Sequence, residues 1–263
     1  MGSIETAQIK TSSNHQGVAW APFVVPICVS ALFIGISLSL WVSTVAIGLL
    51  VFISLVYRSQ GDHQRAYFIQ LCAVMFLPAL AGWHAVIPLL GVIFFLVFIK
   101  KHRPWPGVFR VHYSMFFVVS TALVTLSIVI FYLVTNSVTS PQGTLQLGGL
   151  PGAGHGFFIT LGIVLIISAV NATFEELLWR IGIQNLFQSR KSLVLQWLVV
   201  SLCFGFSHIN GTPSGALGIV FTALFGFVLC LVREKSQGSA VWVITIHFLA
   251  DLILIGGAYD LFV

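Results

Sequence analysis

Charged side chains are the scarcest component of this sequence. Asp, Glu, Lys and Arg make up 7% of its 263 residues, where a soluble domain carries about 25%. That shortage excludes a water-soluble globule. Hydrophobic residues fill 58% of the chain, which predicts an all-α polytopic membrane protein, a bundle of transmembrane helices. Cysteine is also sparse. Cys28, Cys72, Cys203 and Cys230 each lie in an apolar run with no C-x-x-C spacing, which excludes a disulfide framework and leaves them as small packing residues. A G-x-S-x-G elbow, an H-E-x-x-H pair, a Walker loop and a G-x-G-x-x-G fingerprint are all missing, which removes several hydrolase and nucleotide-binding classes. The polar start of the chain lacks an h-region, so no cleaved signal peptide is expected.

What the sequence does contain is long apolar runs. Residues 18–57 and 66–99 exceed the about 20 residues that one bilayer-spanning helix needs, so each predicts two spans joined by a turn. Pro78, Gly82, His84 and Pro88 mark the second turn. Later spans are predicted at 111–134, 156–187, 193–208, 214–232 and 240–256, giving eight to nine in all. Arg58, Arg65, Lys100, Lys101, Arg103, Arg110, Arg190, Lys191, Arg233 and Lys235 fall in loops that alternate counting places on one side, while residues 135–155 carry no Lys or Arg. The N-terminus is then cytoplasmic and the C-terminus outside. The net charge of +5 is thereby explained by membrane orientation, and no nucleic-acid partner is expected. Residues 1–155 form an N-terminal transmembrane unit with a cytoplasmic tail. The polar anomalies fall in residues 156–263.

A charge at mid-membrane costs at least about 2.5 kcal/mol, so such residues face protein or water and are functional by default. Three clusters stand out. In NATFEELLWR, Glu176 and Arg180 are four apart and share a helix face, so they can pair. Glu175 is turned by about 100° and lies on a stripe with Ser168 and Asn171. The competing reading is a solvated helix end at the interface. FGFSH ends the next span with Phe204 and His208, where a lone histidine is often only a hydrogen-bonded packing residue. HFLAD in the last span puts His247 and Asp251 four apart, so that a carboxylate can orient an imidazole, or the two can form a structural clamp. With a rise of about 1.5 Å per residue, the three clusters can meet at one depth.

A carboxylate and two imidazoles can activate water for peptide hydrolysis, with a histidine or side-chain donor stabilising the oxyanion. Glu175, His208 and His247 are equally a donor set for zinc with a fourth position left to water. Cofactor need is therefore open: none for a glutamate mechanism, zinc for a metal-dependent one.

In order and spacing, E-E-x-x-x-R, F-x-x-x-H and H-x-x-x-D resemble the CPBP (Abi) family, which holds the second type of CAAX prenyl protease and bacteriocin-processing and self-immunity proteins. The resemblance covers about residues 156–256, the four-helix catalytic core of that family. It implies an intramembrane endopeptidase in which Glu175 activates water, His208 helps hold it, His247 and Asp251 line the oxyanion side, and Glu176 and Arg180 support them, with Phe204 and Asn171 alongside. The prenyl proteases usually carry Asn where this chain has Asp251. An ionised Asp would repel an oxyanion, so Asp251 is either protonated or acts by orienting His247. The expected partners are the lipid bilayer and a membrane-delivered substrate: a prenylated CAAX-type C-terminus, a bacteriocin or leader peptide, or a C-terminal sorting tail. The alternative is a non-enzymatic immunity or regulatory protein on the same fold. A proton-coupled transporter is a third reading, for which the chain shows no inverted repeat.

Overall fold

The computed structural model describes residues 20–38, 40–77, 86–102, 108, 109, 111, 121, 125, 157–187, 192–211 and 213–258. Among these residues the chain is entirely helical. Eight α-helices follow in order: α1 Ala21–Leu38, α2 Leu40–Ser59, α3 His63–Met75, α4 Ile87–His102, α5 Phe157–Glu176, α6 Leu193–Ser207, α7 Gly215–Lys235 and α8 Ala240–Ala258. By length and composition, four stretches can cross a membrane: Trp41–Ser59, Phe157–Phe187, Gly215–Lys235 and Ala240–Gly257. Ala21–Gly35, Ile87–Lys100 and Leu193–Ser207 are shorter apolar helices. The chain is a membrane protein. The expected span over 111–134, the basic residues Arg103, Arg110, Arg190 and Lys191, and the uncharged stretch 135–155 lie outside the described residues, apart from isolated positions in the first. So do Pro78, Gly82 and His84 of the second expected turn.

The first overlong run does divide into two helices, α1 and α2, which pack on each other. The turn from α2 to α3 is set by local chemistry. Gly61 takes a positive φ of 79°, a conformation open to glycine. Asp62 then caps α3, its side chain accepting from the Arg65 N–H at 3.1 Å and pairing with the Arg65 guanidinium at 3.0 Å. Ser192 caps α6 in the same way through the Leu195 N–H at 3.3 Å.

Residues 157–258 contain two helix pairs, α5 on α8 and α6 on α7. Gly205 lets α6 approach α7 closely, since a Cβ there would stand 2.6 Å from the Ile219 carbonyl oxygen and 2.8 Å from Ala223 Cβ. The N-terminal helices close around these pairs. α1 packs on α6 and α4 on α5, and Ser30 Oγ donates to the Cys203 carbonyl at 2.6 Å. Phe174, Leu177, Trp179 and Phe204 share one buried apolar cluster with residues of α1 to α4.

Two local expectations are corrected. The segment 156–187 is not one regular α-helix. It widens into a π-helix over Leu177–Ile183 and tightens into a 3-10 turn over Gln184–Phe187. All seven residues of the π segment are buried, and the wide turn accommodates them where a regular 3.6-residue period would send some outward. Arg233 is not a loop cation. It lies in the last turn of α7 and is buried, because Asn185 Oδ1 accepts from its guanidinium at 2.6 Å. Lys235, two residues on, is exposed but is likewise the last residue of α7 and not a loop residue.

Candidate active site

The three polar clusters of the sequence meet. α5 contributes Asn171, Glu175 and Glu176, the π segment Arg180, α6 Phe204 and its C-cap His208, and α8 His247 and Asp251. Glu175 Oε2 lies 3.7 Å from Nε2 of His208 and 3.6 Å from Nε2 of His247. That oxygen is buried and takes no hydrogen bond from a protein group. Both separations are longer than a hydrogen bond, so Glu175 Oε2 sits beside two imidazole nitrogens and bonds to neither.

Each imidazole is fixed from its far side. Nδ1 of His208 lies 2.9 Å from the Phe204 carbonyl. A carbonyl only accepts, so Nδ1 carries the hydrogen and Nε2, facing Glu175, offers a lone pair when the ring is neutral. Ser207 Oγ donates to the same carbonyl at 2.7 Å and lies 3.2 Å from Nδ1. His247 is held by carboxylates on both nitrogens: Nδ1 stands 2.7 Å from Glu176 Oε1, and Nε2 stands 3.5 Å from Asp251 Oδ1 as well as near Glu175. The Phe225 ring packs edge-on against His247 with centroids 5.4 Å apart.

Beneath them lies a sealed charged layer. Glu176 Oε2 and Arg180 Nε are 3.4 Å apart, both side chains fully buried. Arg180 also reaches the Gly226 carbonyl at 3.4 Å and lies over the Phe204 ring at 4.3 Å from its centroid, a cation–π contact that partly replaces lost hydration. Phe204 is the hub of the site. Its ring touches Arg180 on one side and stands 4.6 Å from the His208 ring centroid. Exposure rises away from this layer: side-chain values are 0% for Glu176 and Arg180, 4% for His247, 8% for Glu175, 12% for Asp251 and 15% for His208.

The helix-wheel argument sent Glu175 and Glu176 to different faces. The carboxylates do diverge, yet both reach His247, one at each ring nitrogen. Asn171 leaves its own helix to donate from Nδ2 to Asp251 Oδ2 at 3.1 Å. Asn185 and Arg233, a buried pair below the site, were not singled out from the sequence. The one available signal was an arginine in the last turn of a membrane helix. Among the described residues no group of three or more His, Cys, Asp and Glu side chains has the arrangement to hold a metal ion, and that includes the set Glu175, His208 and His247.

A family model described as type II CAAX prenyl endopeptidase Rce1-like matches residues 157–253. No curated protein and no solved structure matches the chain. The matched stretch runs from the start of α5 into α8 and contains all eight of the residues just described. Residues 157–253 are thus similar to the Rce1-like family of type II CAAX prenyl endopeptidases.

Proposed function

We propose that the protein is an intramembrane endopeptidase that hydrolyses a peptide bond near the prenylated C-terminus of a membrane-delivered substrate, with Glu175 as the group that activates water. The observation that carries this reading is the Glu175 oxygen, buried and without a protein hydrogen bond, set 3.7 Å and 3.6 Å from two imidazole nitrogens. Water between Glu175 and His208 gives one hydrogen to the carboxylate and one to Nε2 of His208. As its oxygen bonds to the scissile carbonyl carbon, the proton passes to Glu175. The negative charge on the former carbonyl oxygen faces His247; since Nδ1 already faces the Glu176 carboxylate, Nε2 donates there from the doubly protonated ring. Glu175 then gives the proton to the departing nitrogen as the C–N bond breaks. Glu176 and Arg180 touch no reacting atom. They fix His247.

In this reading residues 156–263 carry the chemistry and residues 1–155 select the substrate, with the N-terminus cytoplasmic and the C-terminus outside. The test compares membranes containing wild type and Glu175→Gln at matched levels, assayed on a farnesylated CAAX peptide and by mass spectrometry of peptide termini. Cleavage with wild type and none with the folded, inserted variant is expected. Equal cleavage by the variant overturns the role of Glu175. Termini that are identical in the two membranes, with no peptide cleaved by either, favour a non-enzymatic partner.

A further inference from the structure

One polar contact of the site is unused by the steps above. Asn171 Nδ2 donates to Oδ2 of Asp251 at 3.1 Å, joining α5 to α8. The other oxygen, Oδ1, lies 3.5 Å from Nε2 of His247. The two oxygens of Asp251 are thus divided between an amide on one helix and an imidazole on its own. A carboxylate clamped by an amide keeps its plane, so its charge falls on the imidazole.

Asn171 is suited to this task by position. It precedes Glu175 by four residues, so both rise from the same face of α5, and it packs where α5 meets α8. Rotating Asp251 away from His247 requires breaking the Asn171 contact. The amide also brings a donor without bringing a charge.

We propose that Asn171 is a positioning residue: its amide pins Oδ2 of Asp251 and so holds Oδ1 beside Nε2 of His247. The kinetic consequence rests on the hydrolytic reading above. The contact itself concerns only Asn171, Asp251 and His247, and it is testable without turnover.

The experiment has two arms on the full-length protein in detergent micelles. In the first, histidine-selective nitrogen-15 spectra are recorded, with the His247 ring signals assigned by His247→Gln. Asn171→Ala is expected to move those signals in the same direction as Asp251→Ala. Unmoved His247 signals in a folded Asn171→Ala protein overturn the proposal. In the second, an internally quenched farnesylated CAAX peptide is the substrate. Asn171→Ala is expected to lower kcat by about 10- to 100-fold, the scale of a misplaced catalytic group, with KM changed by no more than about twofold. Asn171→Asp sets two carboxylates face to face and should be worse. The reversal Asn171→Asp with Asp251→Asn restores an amide–carboxylate pair and should recover about tenfold over Asn171→Asp alone. A merely structural role would lower the melting temperature and folded yield while leaving kcat per folded molecule intact, and that result also overturns the proposal. If wild type leaves the peptide uncut, the substrate reading falls and the His247 signals alone decide the role of Asn171.

Discussion

Glu176 Oε1 stands 2.7 Å from Nδ1 of His247, and this contact ties α5 to α8 through a carboxylate with no exposed surface. Its other oxygen faces Arg180 at 3.4 Å, so a single carboxylate serves an imidazole and a guanidinium. Removing one member of a buried pair leaves an uncompensated charge, at a cost of about 3–5 kcal/mol. Glu176→Ala should therefore lower the melting temperature in detergent sharply and reduce folded yield. Glu176→Gln keeps the shape and one acceptor oxygen. It should melt closer to wild type while losing kcat, because a neutral amide no longer holds the imidazole. A Glu176→Ala protein as stable as wild type would remove this account of the charged layer.

Arg180 is not replaceable by lysine. Its planar guanidinium lies over Phe204 and reaches both Glu176 and the Gly226 carbonyl. An ammonium cannot reproduce this flat, forked geometry. Arg180→Lys should cost about 1–2 kcal/mol, the size of a desolvated cation–π contact, and thermal unfolding of the purified variant measures it. Full retention of stability would mean that only the charge of Arg180 matters.

The close approach of α6 to α7 positions His208. A methyl group on Gly205 would meet the Ile219 carbonyl and Ala223, and overpacking of this kind costs about 1–3 kcal/mol. His208 follows Gly205 by three residues, so displacement of α6 moves its Nε2 relative to Glu175. Gly205→Ala should lower kcat by more than its stability loss explains. The check is to assay peptide cleavage per folded molecule. Unchanged turnover would separate helix packing from the chemistry.

Asn185 secures the buried end of α7. Its Oδ1 accepts from Arg233 at 2.6 Å. Deleting a hydrogen bond to a buried charge costs about 1.5–3 kcal/mol. Asn185→Ala should destabilise by at least that amount, whereas Asn185→Asp keeps an oxygen on the guanidinium but loses the amide hydrogen that the Ile181 carbonyl accepts, and should melt between Asn185→Ala and wild type. The two variants melting alike would argue against the contact.

The parts of this site that were legible in the sequence are those governed by local periodicity. Glu176 with Arg180, and His247 with Asp251, are four apart on helices, and both pairs form. The apolar runs that became α5 to α8 were equally plain, because a membrane helix must be long and uncharged. What periodicity does not carry is the contact between helices. The reach of Asn171 to Asp251 depends on how α5 lies against α8 and has no local signature. The wheel also misjudged how far two diverging carboxylates can be apart and still share a partner, since an imidazole offers a nitrogen at each side. The π segment Leu177–Ile183 was invisible because its residues are ordinary apolar helix formers around one arginine. Its widening answers tertiary packing, not propensity. Arg233 was misplaced for the reverse reason: near a helix end, a paired buried arginine and a solvated one look the same in sequence.

The rise in exposure from Glu176 and Arg180 to Asp251 and His208 gives the site a front and a back. The back is the buried layer of Glu176 and Arg180 against Phe204. The front is formed by the C-terminal end of α6 and the Asp251 turn of α8. On the hydrolytic reading proposed above, a peptide meets the His208 side first, and variants at Ile209 to Gly211 should change which bond is cut more than variants in the charged layer.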